Sequence, residues 1–129
     1  MSPKLDMIGL VAKDLDASQR FYRQLGMEIP ERDGDEPYVE TTLPGGIRVS
    51  WNDLEMIKGI DSHWVPPVGQ RISMAFLCDS SAAVDAKHAE LVAAGYPSKA
   101  APWDAFWGQR YAQIEDPDGN VVDLFAPLA

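Results

Sequence analysis

Residues 7–26 read MIGLVAKDLDASQRFYRQLG, and the fold of the whole chain turns on this stretch. Met7 to Ala12 is an unbroken apolar run, bounded by Asp6 on one side and Lys13-Asp14 on the other. A run this short suits a buried strand better than a helix. Asp16 precedes Ala17-Ser18-Gln19, a cap residue followed by Gln at the third helical position. Phe21, Tyr22 and Leu25 then share one helical face. Gly26 falls where a helix stops in a left-handed cap. The stretch predicts a strand, a helix and a glycine stop.

Working outward, Met27 and Ile29 alternate with Glu28 and predict a further strand. Residues 30–37 are a polar loop. Tyr38 to Leu43 is rich in β-formers, Pro44-Gly45-Gly46 is a turn, and Ile47 to Trp51 alternates again. The first part of the chain therefore predicts β-α-β-β-β. The second part repeats this order. Ile72 to Cys78 is an apolar run, Ser80 and Ser81 are cap candidates, and Ala82 to Ala94 is a helix ended by Gly95. Tyr96 to Trp103 reads as extended or irregular. Gly108 to Ile114 and Val121 to Phe125 are strands flanking the turn Pro117-Asp118-Gly119. The repeat spans roughly 65–70 residues, too long for a solenoid unit, so two modules sharing one core is the expectation. The boundaries are a single domain over 1–129, with a first module at 5–52, a connector at 53–70 and a second module at 71–129. The connector holds Trp64, Pro66-Pro67 and two glycines, and is expected to lack a regular element.

Composition narrows the function. The chain has 129 residues, 46% hydrophobic and 24% charged, which excludes global disorder. Twenty acidic against eleven Lys and Arg residues give a net charge of -9. That balance argues against nucleic acid as a partner and favours neutral or cationic ligands. Cys78 is the sole cysteine, so an intramolecular disulfide is impossible. No run approaches 18 apolar residues, and the expectation is a cytoplasmic protein without a membrane span or signal peptide.

The pattern Met7-Ile8-Gly9-Leu10-Val11 with Asp14-Leu15, then Phe21-Tyr22 and Leu25-Gly26, resembles the glyoxalase, bleomycin-resistance and extradiol-dioxygenase superfamily, also called the vicinal oxygen chelate fold. So does the tail, with Trp107-Gly108-Gln109-Arg110, Asp116-Pro117-Asp118-Gly119-Asn120 and Val121-Val122-Asp123-Leu124. The resemblance implies an α+β fold of two βαβββ modules curled around a shared cavity, and a homodimer, sometimes with modules exchanged between chains.

It also implies where many relatives hold a divalent metal: two residues before the small residue of each first strand, and four after the turn glycine of each last strand. Those positions here are Met7, Ser73, Ser50 and Asp123. Thioether and neutral hydroxyl groups are poor ligands for catalytic divalent ions. The expectation is no metal and no cofactor.

The remaining candidates are weighed against structural roles. Asp123 is either a solvent-facing strand residue or a cavity carboxylate able to pair with a cation or act as a base. Trp51, Trp64, Trp103 and Trp107 are either core or a stacking surface for a planar ligand. Trp103 and Trp107 flank Asp104-Ala105-Phe106 in a stretch expected to be irregular. His63 and His88 read as rim and solvated helix positions, Arg110 as a surface ion-pair partner, and Cys78 as a buried, inert thiol. The expected function is metal-independent binding, by sequestration, of a small hydrophobic or aromatic compound such as an antibiotic. The alternative is a metal-dependent lyase, isomerase or dioxygenase of the same superfamily, or an isomerase or lyase with Asp123 as base. A third possibility is a vestigial cavity on a protein that works through its dimer surface.

Overall fold

In a computed structural model, which describes residues 2–128, the chain is a mixed α+β fold of two compact units, joined between Pro66 and Pro67. The junction lies inside the stretch expected as a connector.

The first unit contains β1 (Met7–Ala12), α1 (Leu15–Gln24), β2 (Tyr38–Thr42), β3 (Arg48–Asp53) and α2 (Leu54–Ile60). Its three-stranded sheet has the order β1-β3-β2, with β1 parallel and β2 antiparallel to β3. Side chains alternate across a strand, so each face can be read from the register. Val39, Val49, Trp51 and Ala12 are buried on one face, and α1 contributes buried Leu15, Phe21 and Tyr22. The Tyr22 and Trp51 rings meet at 5.8 Å. Met7, Gly9, Tyr38, Glu40, Arg48, Ser50 and Asn52 occupy the other face.

Three expectations are corrected in this unit. The cap of α1 is Asp14, not Asp16: its carboxylate accepts from the Ala17 N–H at 3.1 Å. Met27–Ile29 does not join the sheet as a strand. Its carbonyls are taken by side chains instead, with Thr41 Oγ1 donating to the Glu28 carbonyl at 2.6 Å and the Arg23 guanidinium forking onto those of Ile29 and Pro30. Pro30 lacks the N–H a ladder needs. Finally, the connector is not wholly irregular. Asp53 caps α2 by accepting from the Glu55 and Met56 N–H groups.

The second unit contains β4 (Met74–Leu77), α3 (Ser81–Ala93), β5 (Ser98–Ala105), β6 (Gln109–Glu115) and β7 (Val121–Pro127). Here the full βαβββ order is present. The sheet runs β4-β7-β6-β5, parallel between β4 and β7 and antiparallel elsewhere. One face buries Ala112, Ile114, Val122, Leu124 and Ala126, and α3 buries Val84 and Leu91. Arg110 on this face donates to Asp85 of α3. Ser80 is the observed cap of α3, its Oγ accepting from the Ala83 N–H at 3.1 Å. The tail turn is held by Asp116, whose carboxylate accepts from the Asp118 and Asn120 N–H groups, while Gly119 takes φ +84°. Two corrections fall here. Trp103 lies in a strand, β5, because its backbone pairs with Tyr111 of β6. Cys78 is only half-buried and lies beyond β4; partial desolvation raises its thiol pKa.

Candidate functional site

Asp123 sits in the middle of β7 on the face away from α3. Its cross-strand partners are Gln113 on β6 and Ala75 on β4. The next row across the same face is Trp103, Tyr111 and Phe125. The hairpin joining β5 to β6 carries Phe106 and Trp107.

The carboxylate is 6% exposed. The Tyr111 hydroxyl donates to Oδ2 at 2.5 Å, and the Gln113 amide donates to Oδ1 at 3.0 Å. Both donors are neutral, and among the described residues no cationic side chain pairs with Asp123. Desolvation, reinforced by the bond to Asp123 and by its charge, pushes the Tyr111 pKa up to about 12. Tyr111 therefore remains a hydrogen-bond donor throughout the physiological range.

The rings form a connected cluster. Tyr111 meets Trp103 at 5.5 Å and Trp107 at 5.2 Å, both edge to face, and lies 6.3 Å from Phe125. The Trp107 indole N–H donates to Gln109 Oε1 at 2.8 Å, which fixes its orientation. Trp103 and Trp107 remain 37% and 48% exposed. Such edge-to-face pairs are favourable, and the quadrupole of an exposed ring face attracts cations.

The other candidates are placed differently. Trp51 is fully buried beneath α1, with its indole N–H unpartnered. It cannot share a surface with Ser50, because neighbouring residues of one strand point to opposite faces; Trp51 is core. Trp64 lies in the first unit with Lys58 Nζ 5.9 Å from its ring centroid. Ser73 precedes β4 and is exposed. Met7 and Ser50 lie on the polar face of the first sheet, where Ser50 Oγ accepts from Asn52 at 3.2 Å and Met7 Sδ is 3.3 Å from the Tyr38 hydroxyl. Thus Asp123, Trp103 and Trp107 are brought together on one face.

The family-implied metal does not fit these side chains. Of the four positions only Asp123 offers a carboxylate, and each of its oxygens already accepts a hydrogen bond. Among the described residues no group of three or more His, Cys, Asp or Glu side chains converges. A thioether and two neutral hydroxyls do not suit a hard divalent ion.

Residues 4–124 match the model of the Glyoxalase/Bleomycin resistance protein/Dioxygenase superfamily. The chain belongs to this superfamily. A curated relative from Bacillus subtilis (strain 168), the uncharacterized protein YwbC, is 28% identical over 127 residues, covering 97% of this chain and 98% of its own. A superfamily structure from Burkholderia phytofirmans PsJN is similar with a TM-score of 0.83 at 22% identity, over 98% of this chain and 100% of that one. Another, from Nocardioides, has a TM-score of 0.74 at 25% identity, over 99% and 85%. These superfamily likenesses agree with the two-module reading of the sequence.

Sequence reasoning did not single out Tyr111 and Gln113. The signal was present in the alternation of β6, where Tyr111 and Gln113 are two apart and so share a face. Using it required the β6–β7 register, which sequence alone does not supply.

Proposed function

We propose that this protein binds and sequesters a small planar aromatic compound carrying a positive charge, without a metal and without breaking a bond. An antibiotic or other toxic natural product is the concrete form of such a ligand. The reading rests on one observation: a nearly buried carboxylate, served by neutral donors alone, beside partly exposed tryptophans on one sheet face. Buried charges are normally paired, so Asp123 has a place for a ligand cation while the rings take its flat body. The net charge of -9 favours the same class.

Titration of tryptophan emission against acridine-type cations and neutral ring analogues tests this reading. Saturable quenching by the cations is expected. Asp123→Asn should weaken cation binding by about tenfold, on the scale of one charge-assisted hydrogen bond, and leave the neutral analogue little changed. Equal effects on both ligands would refute the role of the charge. The working form is proposed to be a homodimer, which light scattering checks as twice 14.2 kDa.

A further inference from the structure

The two sheets carry the same device, filled in one and open in the other. In the first unit Gly9, Ser50 and Glu40 lie in one cross-strand row; in the second, Ala75, Asp123 and Gln113 do. This register makes Tyr38 the counterpart of Tyr111. Each tyrosine hydroxyl donates to a carboxylate: Tyr38 to Glu40 at 2.6 Å, Tyr111 to Asp123 at 2.5 Å. The acid has moved one strand over, from the row position of Glu40 to that of Asp123, yet the pair persists. The first pair holds a guanidinium: Arg48 donates to Glu40 Oε2 at 2.7 Å and also to Asp6. The register counterpart of Arg48 in β7 is Val121, which has no charge to offer.

We propose that the second pair takes its guanidinium-like group from the ligand, so that the bound compound presents a planar cation with N–H donors, an aryl amidine or aryl guanidine, to Asp123. This rests on the function proposed above and narrows its ligand class. Each Asp123 oxygen accepts one hydrogen bond, and a carboxylate oxygen can accept two. An amidinium places two N–H groups in the parallel geometry that one carboxylate accepts. A quaternary ammonium has no N–H and is too bulky to approach a carboxylate that is 6% exposed.

The test uses the full chain and benzamidine, with benzamide and phenyltrimethylammonium as comparators, followed by calorimetry and tryptophan emission. Benzamidine should bind at least about tenfold more tightly than either comparator, the scale of one charge-assisted bond. Val121→Arg should supply the missing guanidinium internally and weaken benzamidine binding by a similar factor, while binding of the neutral ring analogue is little changed. Asp123→Asn, which preserves shape, should also weaken benzamidine. Phenyltrimethylammonium matching benzamidine, or Val121→Arg leaving benzamidine binding intact, overturns the planar-donor inference and leaves the broader binding function standing. Absence of quenching by any flat aromatic overturns both.

Discussion

At Asp123 a carboxylate is kept nearly dry by hydrogen bonds from Tyr111 and Gln113 rather than by a counter-charge. Removing one donor should be felt directly. Tyr111→Phe leaves Oδ2 without its partner and should cost about 1–3 kcal/mol of stability, measured by urea unfolding. The same residue sets an alkaline limit. Its pKa is about 12 in the folded chain against 10.0 as the ordinary value. Folding thus favours the protonated phenol, and its contribution is complete below pH 10 and lost as pH rises towards 12. Wild-type stability should fall across that window, and Tyr111→Phe should show a smaller fall there. An identical pH profile for the two proteins would contradict the assigned environment. Part of this site could be read from residues alone: Asp123, Trp103 and Trp107 were candidates from the repeat and from their ring chemistry. Trp51, a candidate by ring chemistry, is core, and strand alternation alone sets it opposite Ser50.

At the scale of elements, caps and turns hold the strands in register. Asp14, not Asp16, closes the first turn of α1. Asp14→Ala should therefore destabilise the protein by about 1 kcal/mol, while Asp16→Ala should cost less. Thermal or urea unfolding of the two variants checks the order. The two acids stand two residues apart, and either fits a cap by residue type, so the choice depended on where the backbone of β1 ends. The missing strand at 27–29 has a similar origin. Alternation alone predicts extended chain, but Arg23 and Thr41 capture the carbonyls that a ladder would use. Those captures are made by side chains from other elements and leave no trace in local periodicity. The strands β1, β6 and β7, by contrast, were legible because runs and turns bound them on both sides.

For the whole molecule, the βαβββ order of the second unit is legible from the sequence, the first unit departs from it at residues 27–29 and at α2, and family membership follows from a match over residues 4–124. The net charge of -9 acts at this scale too. Capture of an aromatic cation should slow as salt rises from about 0.01 to 0.15 M, because the screening length falls from about 30 to 8 Å. Stopped-flow quenching reads this rate, and a neutral analogue should show little change. The central claim, binding by rings and one carboxylate without a metal, is tested most directly by titrating chelator-treated protein with an acridine-type cation while following tryptophan emission. Saturable quenching is expected, unchanged by chelation and strongly weakened in Trp107→Ala and Trp103→Ala. Quenching that requires an added divalent ion, or that survives both substitutions, would contradict the account.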